Sequence, residues 1–167
     1  MKKIFTIGAK ELRVKANPIT KFDARLGLIL RDMAKTMYQA EGIGLAAPQV
    51  GIARRMMVVD VGEGLMEFIN PVIESASGEC GMAEGCLSVP GRRGYVIRPE
   101  KITVTAQDRK GSPFTLEADG LLARCIQHEI DHLDGILYVD KMEYEVFPED
   151  EEEDEDEPLD AAEELAE

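Results

Sequence analysis

Histidine is scarce in this chain, with two among 167 residues. A site that holds its metal by three imidazoles is therefore excluded. Cysteine is scarce too: the three are an odd number at no framework spacing, which excludes a paired disulfide scaffold. They point to free or metal-bound thiols in a reducing cytoplasm. No apolar run approaches the roughly 20 residues that cross a bilayer, so no membrane segment is expected. The start, Met1-Lys2-Lys3-Ile4-Phe5-Thr6-Ile7-Gly8, has no long apolar stretch, and no acid-free Arg/Ser-rich segment follows. Neither a signal nor a transit peptide is expected. Basic residues are missing from 149–167, where 13 acidic residues stand. The rest, with 20 acidic against 19 basic, is nearly neutral. The net charge of -14 thus belongs to the tail and says nothing about a site. Such a block repels itself and buries little, so residues 143–167 are expected to be an acidic, disordered tail. An electrostatic docking tail is the sharper alternative. A tail of this sign avoids phosphate, so it is not expected to bind nucleic acid, and DNA is not an expected partner.

What is present fits one domain, residues 1–142, with one core. Residues 20–39 read as a helix: Leu26, Ile29, Leu30, Met33 and Met37 form an apolar stripe. Thr20 with Asp23 resembles an N-terminal capping box. A loop rich in small residues follows at 41–51. The runs at 56–61 and 67–73 read as strands. Ile102, Val104 and Ala106 alternate with threonines, and Asp108-Arg109-Lys110-Gly111 leads into 113–116 as a hairpin. Asp119 or Gly120 opens a second helix, which Gly135 closes with a left-handed cap. There is no repeat and no regular strand–helix alternation. The expected class is α+β, with mostly antiparallel strands packed around a central metal-binding helix.

Both histidines fall in His128-Glu129-Ile130-Asp131-His132, an H-E-x-x-H motif on that second helix. Residues four apart share a helix face, so both imidazoles reach one ion, and Glu129 stands beside it. A lone inward histidine is usually a satisfied core residue; two flanking a glutamate at this spacing point to a metal. Leu121, Cys125, His128 and His132 share one face. A catalytic ion normally takes a third protein ligand and keeps one position open. The candidates are Cys80, Cys86, Cys125 or a carboxylate. Cys125, one turn before His128, strains to reach the same ion and reads as an apolar wall residue. Cys80 lies in a glycine-flanked loop. Cys86 follows a glycine in Glu84-Gly85-Cys86-Leu87-Ser88, a segment able to present a thiolate and backbone N–H groups together. Burial as a small hydrophobe is nevertheless the commoner fate of a cysteine.

Three segments in order carry a resemblance: Gly42-Ile43-Gly44-Leu45-Ala46-Ala47-Pro48-Gln49, Glu84-Gly85-Cys86-Leu87-Ser88 and Gln127-His128-Glu129-Ile130-Asp131-His132. Together they resemble the peptide deformylase family, over about residues 10–142. That resemblance implies removal of the formyl group from N-terminal formyl-methionine of new polypeptides. It implies Cys86, His128 and His132 as metal ligands, with Fe2+ the usual ion and Zn2+, Ni2+ or Co2+ able to replace it. A metal-held water, its pKa lowered from about 15.7 toward about 7, then gives hydroxide. Glu129 is placed to take that proton and pass it to the leaving amine. The resemblance further implies that the Gln49 amide and the Leu87 backbone N–H donate to the developing oxyanion. For the methionine pocket, Ile43, Met82, Leu121 and Cys125 are candidates by position, with Glu84 and Arg93 at the rim by resemblance. Gly44 and Gly85 are expected to let backbone approach the peptide; for the Gly42-Ile43-Gly44 run a plain tight turn is an equal reading. Arg124 stands where the family often has an apolar pocket residue.

Two rivals remain at this level. A zinc endopeptidase shares H-E-x-x-H but usually draws a downstream Glu or His as third ligand. A non-catalytic metal- or acyl-binding protein is the other, and the presence of Glu129 and Gln49 speaks against it. A monomer acting on nascent formyl-methionyl peptides in the cytoplasm is expected. Relatives often carry a basic C-terminal helix that contacts the ribosome; the acidic tail argues against such an anchor here.

Overall fold

A computed structural model describes residues 2–149. Its elements are α1 (Ala24–Gln39), β1 (Gly44–Ala46), β2 (Met56–Val59), β3 (Met66–Ser77), β4 (Cys80–Cys86), β5 (Val89–Arg98), β6 (Lys101–Gln107), β7 (Pro113–Asp119), α2 (Gly120–Leu133) and β8 (Tyr144–Val146). One sheet has the order β1-β2-β3-β6-β7 and a smaller one β4-β5-β8. Every strand pairing within them is antiparallel. The α+β class with a central helix is what the residues build.

The reason lies in β2. Met56 and Val58 face one way, into a core with Leu30, Met33 and Met37 of α1. Met57 and Val59 face the other way, against Ile126 and Leu133 of α2. A strand covered on both sides reads as an unbroken apolar run, as here. Helix α2 is therefore lined by the larger sheet on one side. On the other side Arg124 donates to the carbonyls of Val96 on β5 and Cys80 on β4. Residues 123–130 are all buried. Each large apolar side chain so buried stabilises the fold by roughly 1.5–3 kcal/mol.

Local chemistry sets the ends. Helix α1 begins four residues later than its apolar stripe suggested. Asp23 is the cap, its carboxylate accepting the Leu26 N–H at 3.1 Å, and Thr20 takes no part. At the end of α2, Gly135 (φ 74°) donates to His132 O and Ile136 to Asp131 O, a Schellman closure. A side chain at Gly135 would meet the Arg13 carbonyl at 2.8 Å. The last carbonyl of α2, Leu133 O, accepts from the Ala16 N–H and the Arg55 guanidinium. Helix α2 is thus pinned at the end that carries His132.

The hairpin β6–β7 pairs as the sequence pattern indicates, Val104 opposite Leu116. The small-residue stretch at 41–51 is not only loop: it holds β1 and a 3-10 turn, Ala47–Val50. Strands β4, β5 and β8 have no alternation to betray them. Gly81 is required because a side chain there would run into the Tyr95 hydroxyl across the pair, and Gly94 because Met142 covers it. Strand β8 lies past the boundary set at 142 and pairs Tyr144 with Tyr95. Their rings stack at 5.0 Å, and Arg92 binds Glu145 at 2.6 Å. Residues 150–167, most of the acidic tail, lie outside the described residues.

A truncation test follows from β8. Ending the chain after Glu149 is expected to leave turnover and melting temperature unchanged. Ending it after Met142 removes a stacked pair worth about 0.5–1.5 kcal/mol. That cut is expected to lower the melting temperature by at least about 2–4 °C. Thermal melts of the two truncations, side by side, check this.

Candidate metal centre

Helix α2 places His128 and His132 one turn apart, ring centroids 5.0 Å from each other. The thiol of Cys86 arrives from the end of β4, its Sγ 3.3 Å from His132 Nε2. A donor atom from each of Cys86, His128 and His132 lies within 4.8 Å of the others. Tetrahedral ligation with metal–nitrogen near 2.0 Å and metal–sulfur near 2.3 Å puts nitrogen and sulfur about 3.5 Å apart. The spacing therefore suits one divalent ion. Cys80 and Cys125 do not join this group. Cys80 Sγ lies 3.9 Å from the neighbouring Gly81 carbonyl, and the Cys125 thiol donates to Ile43 O at 3.5 Å. Burial pushes the Cys125 thiol well up, which keeps it protonated.

Behind the donors stands Glu84. Its carboxylate meets His128 Nδ1 at 2.8 Å, which turns Nε2 toward the other donors. Arg98 grips the same carboxylate with Nε at 2.6 Å and Nη2 at 2.9 Å, and Arg124 donates to it as well. Arg98 also holds Asp131 at 2.9 Å, which in turn meets Lys141. Burial alone raises the Glu84 carboxyl, but hydrogen bonds from His128 and Arg98 outweigh it and hold it well below the usual carboxylate range. Glu84 is thus tied into an ion network. It is buried at 5% exposure, and its work is done on His128. Arg124 is buried too, its guanidinium held by Glu84 and the carbonyls of Val96 and Cys80.

Glu84→Gln is expected to weaken metal affinity about 10–100-fold, as loss of an outer-shell partner does. Two buried guanidiniums also lose their counter-charge, at a cost of about 3–5 kcal/mol. Competition with a chelator measures the first and a thermal melt the second.

The two histidines differ. Burial, with the charges of His128 and Arg98, pushes His132 well down, so it is neutral and free to ligate. Burial lowers His128 too, but its bonds to Cys86 and Glu84 reverse the shift. An ion bound here would have to displace the proton that these bonds favour on His128. The His132 Nδ1 is buried with no hydrogen-bond partner among the described residues.

Glu129 sits beside the donors. Its Oε1 is 3.9 Å from His128 Nε2, and its Oε2 is buried without a hydrogen-bond partner among the described residues. Burial first, helped by the negative charges of Glu84 and Asp131, pushes its pKa up to about 7. Strand β1 passes so close that a side chain at Gly44 would meet Glu129 Oε1 at 2.9 Å and Cys125 Sγ at 2.8 Å. Gly44 thus sits where β1 approaches α2, and a turn out of α1 closes just before it, the Gly42 N–H on Met37 O at 3.0 Å.

Gln49 is 1% exposed. Its Oε1 accepts from the Ala46 N–H at 2.9 Å, and its Nε2 donates to Ser88 Oγ at 3.1 Å and lies 3.7 Å from Cys86 Sγ. Leu87 occupies the turn between β4 and β5, and the next N–H, of Ser88, points at Cys86 Sγ at 3.4 Å. Gly85 marks a register shift between Glu84 and Cys86. Of the expected pocket residues, Met82 is buried on β4 and Ile43 packs against the α2 core. Leu121 lines a cleft of about 880 Å³ with Val61, Ile102 and Ala118, and none of the three donors lines it. Arg93 lies on β5 opposite Val146. Ser88, Arg98 and Asp131 carry connections that motif reading passed over. The signals available were a charged residue ending the apolar Val96-Ile97 run and the Asp within the helix motif.

The profile of the family described as polypeptide deformylase matches residues 1–146. A peptide deformylase of Caldicellulosiruptor bescii is 56% identical over 142 residues, 85% of this chain and 86% of its own length. One from Pelotomaculum thermopropionicum is 51% identical over 83% of this chain and 90% of its own. The crystal structure of peptide deformylase from Thermotoga maritima superposes with TM-score 0.84 at 42% identity, covering 85% of this chain and 97% of that one. A peptide deformylase from Synechococcus elongatus in complex with actinonin gives 0.83 at 47%, covering 85% and 79%. With the family match spanning nearly all the described residues and relatives above 50% identity over most of both chains, the chain belongs to the polypeptide deformylase family.

Proposed function

We propose that this protein hydrolyses the formyl group from the N-terminal formyl-methionine of newly made polypeptides, releasing formate. The observation that carries the reading is the convergence of Cys86, His128 and His132 beside a buried carboxylate, Glu129, with one unpartnered oxygen. A divalent ion held there supplies Lewis acidity and a water whose pKa falls from about 15.7 toward about 7. Cys86, His128 and His132 hold the ion, and Fe2+ is the proposed one; a Cys/His2 set also suits Zn2+, Ni2+ or Co2+. Glu129 takes the proton of the attacking water at its free Oε2 and gives it to the leaving amine. Gln49 Nε2 and the Leu87 N–H bind the formyl oxygen as it gains charge. Ile43, Met82, Leu121, Cys125 and Arg93 are proposed to face the peptide, with Gly85 letting β4 approach it.

Among the described residues it is Cys86, not a downstream Glu or His, that joins His128 and His132, which favours the deformylase reading over that rival. We further propose a monomer working in the cytoplasm, with any ribosome contact made by the body rather than the acidic tail. No helix among the described residues is long and apolar enough to cross a membrane. Parallel assays of formyl-Met-Ala-Ser and of the same peptide unformylated test the reading. Formate release from the first, with no cleavage of the second, is expected.

A further inference from the structure

We infer that the N-terminal segment at residues 5–8 is a strap that sets the spacing of the two oxyanion donors, with Ile7 as a positioning residue. The inference rests on the roles proposed for Gln49 and Leu87. Those two come from different sheets. Gln49 follows β1 of the larger sheet, and Leu87 lies in the β4–β5 turn of the smaller one. Among the described residues no strand pairing joins the sheets. The strap does. The Phe5 N–H donates to Gln49 O at 2.8 Å, and the Ile7 N–H donates to Ser88 O at 2.7 Å.

Two residues of chain span at most about 7 Å, so the two carbonyls are held to a fixed reach. The strap is itself closed by a turn, with Ala9 N–H on Thr6 O at 3.0 Å and Gly8 at φ 101°. Its near end is seated on the Gln49 turn: a side chain at Gly51 would lie 2.8 Å from Phe5 Cε2. Thr6 and Ile7 are exposed, so their part of the strap contributes amides rather than core. Ser88 completes the circuit, because its Oγ accepts from Gln49 Nε2 at 3.1 Å. Ile7 therefore steadies Ser88 O, and Ser88 steadies the Gln49 amide. An ångström of slack between such groups typically costs about 10²-fold in rate.

The test uses metal-loaded full-length protein and formyl-Met-Ala-Ser. Proline suits the second position of a turn whose third residue is glycine at positive φ, so Ile7→Pro deletes the N–H and keeps the turn. It is expected to lower kcat about 10–100-fold with KM and bound metal unchanged. Ile7→Ala, which retains the N–H, is expected to match the parent. Gln49→Ala alone is expected to lower kcat about 10²–10³-fold. Adding Ile7→Pro to it is expected to change kcat by no more than about twofold, because the two act as one unit. Parental kcat in Ile7→Pro beside a deficient Gln49→Ala overturns the strap and leaves the oxyanion role standing. Full additivity overturns it also. Parental kcat in Gln49→Ala overturns the oxyanion role itself. If Ile7→Pro does not fold, Phe5→Ala removes the seat on Gly51; a kcat loss at constant metal content supports the strap, and an unchanged kcat overturns it.

Discussion

Glu129→Ala is expected to keep its metal and to lose turnover of formyl-Met-Ala-Ser by about 10²–10⁴-fold in kcat, the share a general acid–base usually carries. Metal is retained because Glu129 is not among the three converging donors; its Oε1 stands 3.9 Å from His128 Nε2. Turnover is lost because, among the described residues, no other buried carboxylate beside those donors has an unpartnered oxygen. Glu84 is occupied by His128 and two arginines, and Asp131 by Arg98 and Lys141. Burial raises Glu129 to about 7, a value at which one group both accepts and returns a proton near neutral pH. Glu129→Gln, nearly the same in shape, separates chemistry from packing and is expected to match the alanine variant. Near-normal kcat in Glu129→Gln with metal bound would remove Glu129 from proton transfer.

Cys86→Ala is expected to lose the metal on dialysis, and with it all measurable turnover. Two histidines from one helix remain, and no third histidine exists to replace the thiolate. Neither other thiol is placed to help, since Cys80 stays beside Gly81 O and Cys125 is protonated against Ile43 O. The fold itself is expected to survive, because Cys86 is only partly buried. The His128–Glu84–Arg98 connections do not pass through it. Metal analysis by mass spectrometry, with a thermal melt as control, reads both outcomes. Full occupancy in Cys86→Ala would move the third ligand to another residue.

Much of this site is legible in the sequence because helix geometry is local. The spacing of His128, Glu129 and His132 already fixes a face, and Asp119, Gly120 and Gly135 bracket the helix that carries it. Hairpin β6–β7 is legible for the same reason: alternation and turn residues are near neighbours in the chain. The third ligand is not local. Cys86 reaches His132 only because the fold brings the end of β4 beside α2, and spacing alone leaves Cys80 and Cys125 as candidates. Glu84 shows the limit of reading by motif. Its place before Gly85-Cys86 does not reveal that its carboxylate bonds His128 Nδ1 and the guanidiniums of Arg98 and Arg124. Those arginines are distant in sequence, and a buried ion network of this kind leaves no periodic trace. Strand β8 was hidden in a similar way, by an acidic composition that resembles the tail it precedes.

The central claim is that Cys86, His128 and His132 hold the ion on which formyl hydrolysis depends. Metal content and formyl-Met-Ala-Ser turnover, measured on one anaerobic preparation before chelation, after it and after Fe2+ is returned, test it most directly. Turnover that disappears with the ion and comes back with Fe2+, at about one ion per chain in keeping with a single catalytic site, is the predicted result. Formyl hydrolysis that continues at full rate in the metal-free protein would contradict it.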